Sequence, residues 1–170
     1  MKKIACIAVV LVLAMSGYAS AEIERTLPTK NEYGGKTIEH VYSGSDKQYK
    51  EGTVKEVAYF DSNDKIVKTV LHHTNDQARK EGIAKDITYY DGNKKIVKTE
   101  GHYTDEYTRK KGLAKFISYY GSGEKVVTTE LYYADDYARK EGITKVVDYY
   151  DNNGKKLKGE VYDRKGKLVK

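Results

Sequence analysis

Chemistry in this sequence is carried by residues that recur at one interval. Lys55, Lys85, Lys115 and Lys145 are each 30 residues apart, and so are Tyr59, Tyr89, Tyr119 and Tyr149. Alternate residues of an extended chain face the same way, so a lysine and the tyrosine four residues later belong to one side of a strand. Cation and ring together suit an anionic glycan or a phosphate-bearing polymer, held by charge and ring contact. The plainer reading is that acidic residues of neighbouring strands pair with the lysines and that the tyrosines pack to hold a thin sheet together. A second tyrosine row follows at Tyr90, Tyr120 and Tyr150, with Phe60 in the first place, and faces the opposite side.

Other candidates are weaker. His72 and His102 stand at equivalent places in neighbouring units, where Tyr42 and Tyr132 stand in the others. Two imidazoles can begin a metal site, but no third ligand recurs with them, and zinc normally takes at least three protein ligands. Arg79, Arg109 and Arg139 follow Asp76, Glu106 and Asp136 by three residues, the spacing of a local ion pair on one helical turn. No phosphate-cradling glycine loop, Ser–His–Asp set or isolated carboxylate pair interrupts the pattern. Catalytic groups ordinarily break a repeat's symmetry, whereas these polar residues obey it. The chain therefore reads as non-enzymatic, with no cofactor and no metal.

The elements that position these residues follow from the same period. Gly52, Gly82, Gly112 and Gly142 mark four units. After each glycine comes an alternating segment rich in β-branched and aromatic residues, which predicts a strand. In the second unit Ile83, Lys85, Ile87 and Tyr89 fall on one side, and Ala84, Asp86, Thr88 and Tyr90 on the other. Asn, Asp and Gly then supply a turn, as in Asp91-Gly92-Asn93-Lys94, and Ile96-Val97-Lys98-Thr99 returns as a second strand. Between hairpins, stretches such as Asp135-Asp136-Tyr137-Ala138-Arg139-Lys140-Glu141-Gly142 combine an acidic N-cap candidate, late basic residues and a terminal glycine. That predicts one short helical turn, too short to stand without docking on the sheet. The fold expected is mainly β: tandem 30-residue β-hairpin repeats forming an elongated antiparallel meander sheet, with short helical turns between hairpins.

Around this array the ends differ. Lys2 and Lys3, an apolar run over residues 4–15 and Ala19-Ser20-Ala21 make the layout of a secretory signal peptide over residues 1–21. The run is shorter than the about 20 apolar residues a membrane span needs. Residues 22–41 hold a partial unit, residues 42–161 the four repeats, and residues 162–170 a capping turn and strand. Cys6 leaves with the signal, which excludes disulfides and thiolate chemistry from the mature part. Loss of Lys2 and Lys3 takes the formal charge from +6 to +4, with both signs interspersed. Nucleic-acid binding usually needs a basic cluster on one face, so none is expected. Only 28 of the remaining 149 residues are Leu, Ile, Val or Phe, against 16 tyrosines, so a thick aliphatic core is not expected.

The glycine, alternating strand, paired aromatic, Asn/Gly turn and lysine of Gly142-Ile143-Thr144-Lys145-Val146-Val147-Asp148-Tyr149-Tyr150-Asp151-Asn152-Asn153-Gly154-Lys155 resemble the MORN-type repeats, in particular their bacterial variant form. The resemblance implies a twisted, elongated sheet of hairpins used for binding, sometimes in toxin-neutralising proteins, and it implies no catalytic residues. Two functions are expected from these observations. The first is an exported scaffold, periplasmic or extracellular, that binds a protein or an anionic envelope glycan through its Tyr/Lys face. The second is an inhibitor or immunity-type protein directed at a secreted toxin or enzyme.

Overall fold

The computed structural model describes residues 23–27 and 30–170, so the signal segment lies outside the described residues. Ten strands and four short helices follow one another along the chain. They are β1 (Ile23–Leu27), β2 (Gly34–Val41), α1 (Lys47–Lys50), β3 (Thr53–Asp61), β4 (Ile66–His73), α2 (Asn75–Glu81) and β5 (Ile83–Tyr90). Then come β6 (Ile96–Tyr103), α3 (Asp105–Lys111), β7 (Leu113–Tyr120), β8 (Val126–Tyr133), α4 (Asp135–Glu141), β9 (Ile143–Tyr150) and β10 (Lys156–Asp163). All ten strands form a single antiparallel sheet in sequence order. β1 and β10 do not pair, so the sheet is an open meander, as the repeat predicts. Among the described residues no helix is long and apolar enough to cross a membrane.

Four turns begin on a carboxylate and carry a left-handed residue after it, while Gly121 takes the carboxylate's place between β7 and β8. Asp61 Oδ1 accepts from the backbone N–H groups of Asn63 and Lys65, both at 2.9 Å, and Asp91, Asp151 and Asp163 repeat the arrangement. Asp64, Lys94 and Glu124 sit at φ between 56° and 64° in these turns, where Gly154 stands in the fourth. The turn thus tolerates strained side chains because its carbonyls and amides are otherwise satisfied.

The helical connections bear out the terminal glycines and correct the N-cap. Gly82 and Gly112 close α2 and α3 at φ +76° and +75°, their N–H groups bonding back to Ala78 and Thr108. The caps are Thr74 and Thr104, whose hydroxyls accept from Gln77 and Tyr107; the acidic residues sit in the first turn instead. There they face the positive end of the helix without having to bend into a cap. Helix and sheet are tied by rings on one side of the sheet. Tyr103 stacks on Tyr107 at 4.7 Å, and Tyr133 on Tyr137 at 4.9 Å. A methyl group on Gly82 would run into the Tyr107 ring, and one on Gly112 into the Tyr137 ring. Gly82 and Gly112 are therefore also the seats of the next helix's aromatic residue.

One detail departs from strict alternation along the strands and another from the 30-residue period. Pairing shifts by one residue between Ile83 and Lys85 and again between Tyr89 and Tyr90, and β7 and β9 show comparable shifts. These bulges leave Lys85, Ile87 and Tyr89 on one face but set Ile83 opposite Tyr103, on the helix side. In the first unit, Val41 rather than Tyr42 lies against Lys55, the place His72 takes against Lys85. Tyr42 is instead buried on the helix side, with its hydroxyl on Glu56 at 3.0 Å. The sheet is one layer thick, so its buried residues are few and small. Val57, Ile117 and Val147 are covered on one face, Ala58 and Ser118 on the other.

Candidate functional site

The face opposite the helices carries three parallel rows, fixed by strand register. The outer row runs Lys55, His72, Lys85, His102, Lys115, Tyr132, Lys145 and Tyr162 from β3 to β10. The central row runs Val57, Val70, Ile87, Glu100, Ile117, Glu130, Val147 and Glu160, with Glu39 of β2 beside Val57. The third row runs Tyr59, Lys68, Tyr89, Lys98, Tyr119, Thr128, Tyr149 and Lys158. All eight residues singled out from the sequence thus share one face. Alternate strands lie about 10 Å apart, which sets the pitch of each row's repeat.

The tyrosine row is engaged within the sheet. Lys68 lies over the Tyr59 ring at 4.0 Å, Lys98 over Tyr89 at 3.7 Å and Lys158 over Tyr149 at 4.3 Å. Cross-strand neighbours make these contacts unavoidable: a flexible ammonium opposite a ring folds over it, keeping its charge near the ring's negative face. Tyr119 differs, since Thr128 lies opposite it and its ring is 37% exposed. The lysines and glutamates of these return strands were missed in the sequence reading, although Lys68, Lys98 and Lys158 keep 30-residue multiples and Glu100, Glu130 and Glu160 keep the interval itself. Val70 and Thr128 interrupt the two series and hide them.

Where the central row carries glutamate, a closed network forms. Glu160 accepts from Lys158 at 2.8 Å, Tyr162 at 2.7 Å and Tyr149 at 2.8 Å. These bonds, Lys158 first, hold its carboxyl down at about 2, and the bond to Glu160 raises the Tyr162 hydroxyl to about 12. Glu130 takes Tyr132 at 2.7 Å, with Lys145 at 3.4 Å. Burial and that bond push the Tyr132 hydroxyl well above the usual phenol range. Burial alone would raise the Glu100 carboxyl, but the bond from Lys98 at 2.8 Å and its charge bring it below the usual range.

The middle of the outer row is the opposite case. Lys85 lies directly between His72 and His102, so the two imidazoles are separated by an ammonium rather than stacked for a metal. Among the described residues, no group of three His, Cys, Asp or Glu is placed to hold a metal ion. Lys55 has Glu39 at 3.5 Å and Lys115 lies 4.9 Å from the Tyr132 ring. No carboxylate of the described residues lies within 4 Å of Lys85. The His102 Nε2 is buried without a hydrogen-bond partner, 3.6 Å from the Glu100 carboxylate. Burial first, then the neighbouring lysines, lowers the pKa of both histidines below 6.5, so both are neutral at pH 7. Beside them a shallow depression of about 510 Å³ opens over β2–β4, lined by Val57 and Val70 together with Lys55, His72, Glu32 and Glu39.

Compared with protein-family models and with curated proteins, the sequence matches none.

Proposed function

We propose that this chain is an exported, non-enzymatic binding scaffold that engages an extended anionic partner through the face opposite its helices. One observation supports the reading above the others: seven lysines share that face with four glutamates, and the lysine row repeats at the spacing of alternate strands. A regular cationic row across an open sheet suits a ligand whose negative charges also recur along its length. The internal use of Tyr59, Tyr89 and Tyr149 by lysines supports recognition on the outer row, with the tyrosines stiffening the sheet. The bacterial MORN-type resemblance agrees with a binding role.

The test is binding of the purified protein to fractionated envelope polymers over a range of salt. The expected result is affinity that rises with polymer length, through repeated weak contacts, and falls steeply from 50 to 500 mM salt. Salt-independent, one-to-one binding of a single folded protein would count against the scaffold and favour an inhibitor.

A further inference from the structure

The outer row is not uniform, and the difference locates one station on it. In Lys55, His72, Lys85, His102 and Lys115, five consecutive strands place a basic or ionisable nitrogen side by side, with neighbouring strands about 4.8 Å apart. Placing cations directly opposite one another opposes sheet stability. At the corresponding places in β8 and β10 stand Tyr132 and Tyr162, which close on glutamates. The central row next to Lys85 offers Val70 and Ile87, and its one carboxylate there, Glu100 on β6, is taken by Lys98 at 2.8 Å. An ammonium without an acid, flanked by a buried imidazole nitrogen without a partner, is a site whose complement is missing from the protein itself.

We propose that Lys85, with His72 and His102 on either side, is an anion-binding station that takes a carboxylate or sulfate group of an extended glycan lying across the strands. The inference rests on reading this face as the binding surface and names the ligand and the residue that reads it. Glycan rather than peptide is favoured by the geometry, because Lys55, Lys85 and Lys115 recur at about 10 Å intervals across alternate strands, a wider pitch than the ~3.3 Å per residue of an extended peptide. The neighbouring apolar floor of Val57 and Val70 suits the face of a sugar ring. Protonation strengthens the site. His72 is faced by Lys55 and Lys85, with Glu39 and His73 near; His102 is faced by Lys85 and Lys115, with Glu100 near. Burial first, and then the lysine charges, keep both rings neutral; an anion seated between them offsets the lysine charges, so affinity rises as pH falls.

The experiment is fluorescence anisotropy of labelled hyaluronan and chondroitin sulfate oligosaccharides with the purified protein at pH 7.5 and 5.5. At least one should bind, and the one that binds tells carboxylate from sulfate. Lys85→Gln should weaken binding by about tenfold, and Lys145→Gln by less than about twofold because Glu130 already holds that lysine. Wild type should tighten about threefold at the lower pH. His72→Gln with His102→Gln should lose that gain, so that affinity no longer differs between pH 7.5 and 5.5, with melting temperature showing that each variant is folded. Equal losses from Lys85→Gln and Lys145→Gln, or no pH response, would overturn the station. Binding of a polyglutamate peptide in preference to both glycans would overturn the glycan and leave the cationic face standing. If neither glycan nor peptide binds at either pH, the station and the reading of the face fall together.

Discussion

Two stretches of the same face solve the same problem differently. From β8 to β10 each glutamate of the central row gathers a lysine and tyrosine hydroxyls, and the polar groups answer one another: Glu130 with Tyr132 and Lys145, Glu160 with Lys158, Tyr149 and Tyr162. From β3 to β6 Val70 takes the glutamate's place on β4, His72 and His102 take the tyrosines' places, and Glu100 of β6 is held by Lys98, so Lys85 is left without an acid. Backbone register is the same in both stretches, so the contrast comes from a few side chains. It teaches that a repeat can hold its architecture constant while leaving the polar groups of one section unanswered. The closed section shows what the open one lacks.

The largest effect expected concerns how the sections are joined. Gly112→Val should cost on the order of 3 kcal/mol, from left-handed strain and collision with the Tyr137 ring. Gly142→Val, where an added methyl meets nothing within 4 Å, should cost about 1–2 kcal/mol from strain alone. Urea unfolding of both variants measures the difference, and equal costs would show that the ring seat contributes nothing. Next, Glu130→Gln should cost about 2 kcal/mol by breaking charge-assisted bonds, and it should raise anion affinity by freeing Lys145. Equilibrium unfolding and glycan titration read the two halves of that expectation.

The converse change imports the closed pattern into the open section. Val70→Glu supplies the carboxylate missing beside Lys85 and should weaken anion binding about tenfold, equivalent to about 1.4 kcal/mol. Unchanged affinity would mean that Lys85 is not the reading residue.

The smallest effect lies on the helix side. His73 Nε2 lies 2.7 Å from Asp86 Oδ2, and this hydrogen bond first of all raises the His73 pKa above 6.5. The stabilisation is present in full below the unfolded pKa and is lost as pH rises through the folded one. Asp86→Asn should therefore cost about 1 kcal/mol near pH 5.5 and less at pH 8. His72 and His102 run the other way: their lowered values mean that stability is lost as pH falls below 6.5. Melting curves over pH 5–8 separate the two, and a cost for Asp86→Asn that grows with pH would contradict the assignment.

Most of the architecture was legible because the 30-residue glycine period, the alternating strands and the Asp-rich turns all act locally. The left-handed glycines at Gly82 and Gly112 and the shared face of Lys85 with Tyr89 follow from such signals. Bulges were not legible. One extra residue at Val97, between the partners of Tyr89 and Tyr90, reverses alternation with no mark in composition. The displacement of Tyr42 to the helix side has the same origin, since pairing, not period, decides which residue of the first unit meets Lys55. The site was half legible. Its lysine and tyrosine rows stood out by spacing, but the isolation of Lys85 depends on which residues lie beside it on other strands.

The most direct measurement is photocrosslinking in cells from position 89, on the three-row face, and from position 90, on the helix side. The account predicts capture of an anionic glycan from position 89 and little from position 90. Capture confined to position 90, or none from either, would contradict the assignment of the three-row face as the binding surface.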